Sequence, residues 1–537
     1  MLVPDDVREA LAREAALPSL ADGPARRAHA GAPGSGAPSR APPRFELAQI
    51  VRDHEAEYAA WCEREQGRVD PRVWKVFAAV RACRTPSLGG EVEVCRACGY
   101  ARVKCRSCRD RHCPKCPGVR QARWLRQRDE RALPVLHVHL VTTQPSQLGP
   151  LIRKNQRALY ALLLRATADA IEDAVAARHG EGLRLAMTLV LHTYNRSLEQ
   201  HHHVHAIVAA GGLASGDASG DAGQARWVTA RAGECFLPAD EVFADAYRAR
   251  VLAGLERLRA RGELELPGRL GRLRHPDAWA TFVAGLARRR WHVYAKTTLR
   301  GGEAYTYLAR YAGRVAMSNE RILAYDGHTV TLATKAGHPP VVMSGVELLR
   351  RFALHILPHR FLRIRHYGLF NARQREHLAR AREAIRAQGL ELEDAPVDPV
   401  ADDRDASADE HEHEHEHDAA AAGLVVAPPA SSAITEISLG DAPLALAAVL
   451  ALAVADTSTP SASAATAVTT PAASAGAGET WQQLVLRTQG KDVTRCPCCP
   501  DSVLARVDLA ALDPETYSRV TGLARPPPGA ARGGRRR

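Results

Sequence analysis

The chain of 537 residues has few aromatics, with Phe, Trp and Tyr at 5% together. Its cores must therefore be mainly aliphatic, and closely spaced aromatics stand out. It also lacks a long apolar run. The longest, APLALAAVLALAVA from Ala442 to Ala455, falls short of the ~20 residues a membrane-spanning helix needs, so no membrane role is expected. No apolar stretch follows the first Met, so no secretory leader is expected and a cytoplasmic setting follows. No G-x-x-x-x-G-K-[ST] loop occurs, which removes the usual phosphate cradle of nucleotide-driven enzymes.

What the chain has in excess is positive charge: 72 Lys and Arg against 60 Asp and Glu, a net +12, with an isoelectric point near 9.3. That favours a polyanionic partner, nucleic acid before an anionic membrane surface. The length allows two or more cores.

Cysteine is the firmest local signal. Of twelve cysteines, six lie between Cys95 and Cys116. In a reducing compartment such a cluster reads as metal thiolate, not disulfide. The pairs Cys95-x2-Cys98, Cys105-x2-Cys108 and Cys113-x2-Cys116 have the knuckle spacing that tetrahedral Zn2+ requires. Six thiols exceed one site. Cys95, Cys98, Cys113 and Cys116 are the expected zinc set; Cys105 and Cys108, with His112 and Cys83, could complete a second. Far downstream, Cys496-x2-Cys499 could hold another zinc or complete a distant one with borrowed ligands. Arg102, Lys104, Arg106, Arg109, Arg111 and Lys115 interleave the cysteines and suggest a DNA-facing ribbon. The alternative is a structural staple with a solvated basic face.

A second constellation starts at HHHVHAIVAAGG. Its neighbours read as strand, so His203 and His205 share one face with Val204 behind them. Two imidazoles so placed make a bidentate grip for a metal. His139 and His192, in neighbouring strand-like stretches, could lie near them. About a hundred residues on, AYTYLARYAGRVAMS reads as helix, where Tyr307 and Tyr311 at i,i+4 share a face. Arg310 and Arg314 flank them and could steady a tyrosinate or a phosphate. Tyr305 falls off that face. Paired phenols beside a metal grip suggest metal-assisted attack on a phosphodiester; the plainer reading of each motif is core packing.

Composition divides the chain. Residues 1–44 are Gly-, Pro- and Ala-rich and expected to be disordered. Residues 45–131 form a helical and zinc-binding segment for DNA, and 132–385 alternate strands and helices. Residues 386–479 are acidic, then rich in Ala, Ser and Thr, and include HEHEHEH. Residues 480–537 hold the CPCC motif and a basic tail. The expected class is α+β, an antiparallel-rich sheet with flanking helices preceded by a zinc-knuckle module. Basic helices over 119–131 and 349–365 would track a DNA backbone.

In order along the chain, CxxCG…SCRDRHCPKC, LPVLHVHLVTTQP, LVLHTYN…HHHVHAIVAAGGL, VYAK…YLARYAGRVAMSN and RIRHYG resemble the IS91-type transposases. These are similar to rolling-circle HUH endonucleases preceded by a transposase zinc-binding domain. The resemblance spans roughly 45–385 and the CPCC segment. It implies that His203 and His205 bind catalytic Mg2+ or Mn2+, and that Tyr307 and Tyr311 are the nucleophiles that leave a 5′-phosphotyrosine on single-stranded DNA. The sequence departs from the family at His202, where proline is usual, and at Ala312-Gly313, where Thr-His is usual. A related replication initiator, or a non-catalytic zinc-dependent DNA-binding protein, would share part of this pattern.

Overall fold

A computed structural model describes residues 44–392 and 492–523, less 99, 181, 215–224, 231–235, 238–239, 301–303, 307, 309–316, 335–336, 500 and 522, together with 482, 483 and 486. Tyr307, Tyr311, Arg310, Arg314, the HEHEHEH run and the expected N-terminal disordered stretch up to 43 lie outside the described residues.

Helices α1 (Leu47–Gln66) and α2 (Pro71–Ala82) come first. Asp70 starts α2 by accepting the Arg72 N–H at 2.8 Å, and Pro71 fills the first turn, where no donor is needed. Strands β1 (Gly90–Val94) and β2 (Ala101–Cys105) form a hairpin that carries Cys95 and Cys98 at its tip. Helix α3 (Pro117–Asp129) leads into β3 (Leu136–Thr143) and α4 (Gln156–His179). Then come β4 (Ala186–Tyr194), β5 (Gln200–Ala209), α5 (Asp240–Ala260) and β6 (His292–Arg300). A meander of β7 (Ile322–Tyr325), β8 (Thr329–Leu332) and β9 (Val341–Ser344) turns at Asp326-Gly327, where Gly327 has φ 99°. Helix α6 (Gly345–Leu354), β10 (Ile364–Gly368) and α7 (Arg375–Ala387) follow. At the far end lie β11 (Ala505–Asp508) and α8 (Pro514–Thr521).

The central sheet has the order β10-β4-β5-β3-β6, and every neighbouring pair is antiparallel. With the surrounding helices it gives an α+β fold. Its two faces are chemically distinct because strand side chains alternate. Leu189, Leu191, Val204, Ala206, Val208, Val138 and Leu140 point one way and form a core with Leu159, Leu163 and Ile171 of α4. The opposite face carries the histidines. A second core joins α1 and α2 to the meander and α6 through Ile50, Phe77, Val330, Leu349 and Phe352.

The expected basic helix over 349–365 is two things. Helix α6 ends at Leu354, and 364–368 is the edge strand β10. Leu348, Leu349 and Phe352 face the core, while Arg350 and Arg351 both donate to Glu347 one turn back. Pro358 follows soon after the helix end, and a residue before proline resists the helical conformation.

Candidate metal centres and the histidine face

The β4–β5 hairpin sets the histidine geometry. Its turn is held by Asn195, whose Oδ1 accepts the N–H groups of Ser197 and Glu199 at 3.0 and 2.9 Å. Buried Leu198 closes it at φ 59°, a conformation that costs a branched side chain energy. The resulting register pairs His192 directly with His203, and His205 is the next residue of β5 on that face. The ligating nitrogens of all three lie within 4.8 Å of one another. His203 Nε2 and His205 Nε2 are 3.1 Å apart. Adjacent ligands at ~2.1 Å from an octahedral ion would be separated by roughly 3 Å, so this donor set fits a divalent cation.

The Nδ1 atoms are engaged elsewhere. His203 Nδ1 lies 3.1 Å from the His201 carbonyl. His205 Nδ1 lies 2.9 Å from His139 Nε2, and those two rings stack 5.2 Å apart at 8°. Both Nε2 atoms therefore turn to one point. Burial first, then the neighbouring histidines, holds His203 and His205 well below the ordinary histidine range, so both are neutral near pH 7, as metal ligation needs. His202, at the usual proline position, points to the other face beside Tyr160, and burial pushes it down to about 3.

The histidine face is partly roofed by the segment that follows β6. Residues 304–306 and 308 are helical. Ala304 and Leu308 pack on Val190 and Ile207, which lie on the histidine side of β4 and β5. Tyr305 is 1% exposed, against Trp124, His137 and Phe370. At the β10 edge of the same face, Arg128 donates to His366, whose Nδ1 also meets the Thr188 hydroxyl at 3.0 Å. Burial, then Arg128 and Arg131, pushes His366 down to about 3.

The cysteines form two groups. The expected quartet Cys95, Cys98, Cys113 and Cys116 does not come together: Cys113 and Cys116 meet Cys83 and Cys108, while Cys95 and Cys98 meet Cys496 and Cys499. Cys105 joins neither group. It ends β2 opposite Gly90 and packs in the apolar cluster of Val92, Val507 and Leu509. In the first group, Cys116 Sγ lies 3.4 Å from Cys83 Sγ and 3.6 Å from Cys108 Sγ. A tetrahedron with Zn–S bonds of ~2.3 Å has edges of roughly 3.8 Å. Cys83 caps the end of α2 and Cys116 precedes α3, so two helix ends meet there. His112 stands apart from the thiols: its Nδ1 meets Asp110 at 2.9 Å and its Nε2 accepts the Leu357 N–H at 3.1 Å.

The expected DNA-facing cations are largely committed inside the protein. Lys115 pairs with Glu46 at 2.6 Å. Arg111 donates to the carbonyls of Phe361 and Pro358. Arg102, Lys104 and Arg506 surround Glu93, which is fully buried. Burial alone would raise that carboxyl, but Lys104 and Arg102 outweigh it and hold it below the ordinary range. Arg109 remains at the surface.

Among the described residues no helix is long and apolar enough to cross a membrane. No solved structure matches the chain. Residues 186–377 match the family described as "Putative transposase", and residues 50–144 match "Transposase zinc-binding domain". The second match contains all of Cys83, Cys108, Cys113 and Cys116, in keeping with structural zinc. A protein of Sinorhizobium fredii, "Putative transposase y4qJ", is 35% identical over 347 residues, which cover 63% of this chain and 84% of that one. The "Transposase for insertion sequence element IS801" of Pseudomonas savastanoi pv. phaseolicola is 28% identical over 323 residues, 57% of this chain and 72% of that one. With two ordered family matches and a relative aligned over most of its length, the chain belongs to the IS91-type transposases.

Proposed function

We propose that this transposase cuts and rejoins single-stranded DNA through Tyr307 and Tyr311, with His192, His203 and His205 as ligands of Mg2+ or Mn2+. The observation that carries this reading is that the three histidines share a sheet face with the seats of Ala304 and Leu308, on either side of Tyr307. When bound, such an ion would polarise the phosphate to be attacked. His139 orients His205 through the Nδ1 bond, and Arg109, Arg310 and Arg314 are candidates to hold phosphates.

In the cleavage step a tyrosine oxygen attacks phosphorus. The bond to the 3′ oxygen breaks, and that oxygen leaves as a hydroxyl, taking up the equivalent of the phenol's proton. The product is a 5′-phosphotyrosine. In rejoining, a 3′-hydroxyl attacks that linkage and the phenol is restored. Each step exchanges one phosphoester for another, so no nucleotide hydrolysis is required. This agrees with the absence of a phosphate-binding loop.

The test incubates full-length protein and Mn2+ with labelled single strands from the flanks of its own gene, followed by a denaturing gel. A covalent adduct is expected that requires the metal and vanishes in Tyr307→Phe/Tyr311→Phe and in His203→Ala/His205→Ala. Metal-independent binding to the strands with no adduct would overturn the reading.

A further inference from the structure

We infer that Cys95, Cys98, Cys496 and Cys499 form a second tetrathiolate zinc site that locks the C-terminal segment onto the N-terminal ribbon. The four sulfurs lie within 4.8 Å of one another, and Cys98 Sγ is 3.7 Å from Cys496 Sγ. That separation suits the edge of a zinc tetrathiolate and is far too long for a disulfide. Each half is a knuckle at a hairpin tip. On the N-terminal side, the Cys95 N–H donates to the Tyr100 carbonyl at 2.7 Å. On the C-terminal side, Cys496 N–H donates to Ser502 and Ser502 N–H to Cys499, both at 2.9 Å, below the Arg495–Val503 bridge. Both knuckles thus close by a backbone bond from their first cysteine and bring their sulfurs into one group.

The backbone between them agrees. Strand β11 pairs with β1 from Glu91↔Asp508 to Val94↔Ala505, giving a sheet of order β11-β1-β2. The buried Glu93 takes Arg102 and Lys104 from one neighbour strand and Arg506 from the other. Val92, Val94, Ala101, Val507, Leu512 and Tyr517 bury one another. Cys498 lies exposed and outside the four-sulfur group. The module is therefore composed of two segments far apart in the sequence, the hairpin of β1 and β2 and the segment that carries β11. Loop-closure entropy grows only slowly with length, so such a staple tolerates a long stretch between its halves. The site is independent of the tyrosine chemistry.

Zinc per chain is measured in the full-length protein and in paired variants. Cys496→Ser/Cys499→Ser is expected to lose one zinc, Cys95→Ser/Cys98→Ser the same one, and the combined variant no more than either. Cys105→Ser and Cys498→Ser should lose none. Loss of two ions in the combined variant, or none in Cys496→Ser/Cys499→Ser, would overturn the shared site. A second measurement covers variants that fail to fold. A protease site is placed between 402 and 484 in the otherwise unchanged chain, which is then cut. The C-terminal fragment should co-elute with the remainder and separate when a strong chelator removes zinc. Separation with all zinc kept on the larger piece would refute the staple.

Discussion

His139 offers the sharpest probe of the histidine face. It is 3% exposed, and its Nε2 is 2.9 Å from Nδ1 of His205. If His205 ligates through Nε2, its Nδ1 carries the proton and donates to His139. His139→Leu keeps a buried side chain of similar bulk and removes the acceptor. Loss of such an outer bond typically weakens a metal site ~10–100-fold, or about 1.4–2.7 kcal/mol. Calorimetric titration of Mn2+ into full-length protein should show a rise in Kd of about that size, with an unchanged melting temperature as the folding control. His139→Gln, whose amide oxygen can accept from Nδ1, should recover part of the affinity. His192→Ala should abolish measurable binding. A His139→Leu protein that binds Mn2+ as tightly as wild type would refute the orienting role. A His192→Ala protein that does so would refute the triad.

Three further perturbations read the fold. His355 is buried between the Thr193 hydroxyl and the Leu198 carbonyl, and burial pushes it from 6.5 to about 4. The unfolded chain therefore binds its proton first as pH falls. Its contribution is whole above pH 6.5 and is lost between 6.5 and 4, roughly 3 kcal/mol; His355→Gln should flatten the acid limb of a urea-melt pH series by that amount, and an unaltered limb would count against it. Leu189→Ala empties a site buried between the sheet and α4 and should cost about 2–5 kcal/mol in a denaturant melt; a change under 1 kcal/mol would mean the core collapses around the gap. Gly368 sits at φ 54° with the Leu185 carbonyl oxygen 1.8 Å from where a Cβ would be, so Gly368→Ala should cost about 2 kcal/mol or more and loosen β10, read by hydrogen exchange at 364–368; normal protection there would refute the close-approach argument.

The sequence disclosed what depends on periodicity and concealed what depends on register. Alternation alone placed His203 and His205 on one face and Val204 in the core. His192 could be named only as a possible neighbour, with His139; choosing it as the third ligand required the register that sets it opposite His203. That register is set by an irregularity between His192 and Tyr194 and by the Asn195 turn, neither of which has a strong sequence signature. The cysteines repeat the lesson. A C-x2-C knuckle specifies half a site, and proximity along the chain suggested joining Cys95 and Cys98 to Cys113 and Cys116. The actual neighbours of Cys95 and Cys98 arrive with β11, and one of the sulfur contacts bridges 398 positions. Local spacing carries no information about that pairing.

Charge was legible in sign and illegible in use. The Arg and Lys residues threaded through the cysteine region looked like a contact surface because sequence counts cations without their partners. Glu93 shows why the count misleads. A carboxylate buried in the middle strand of a three-stranded sheet is costly unless it is paired. Alternation on β2 presents Arg102 and Lys104 to it, while β11 brings Arg506. Those cations are thus required by the fold before any ligand is considered. Lys115 with Glu46 and Arg111 with two carbonyls follow the same logic. Arg109, at the surface, is the expected cation of this set that the fold leaves for a nucleic acid. A scan that reverses Arg109 should therefore weaken DNA binding and reduce its salt dependence, whereas reversal of Lys104 should unfold the ribbon first. Equal melting temperatures for the two variants would show that the buried ion cluster does not hold the sheet.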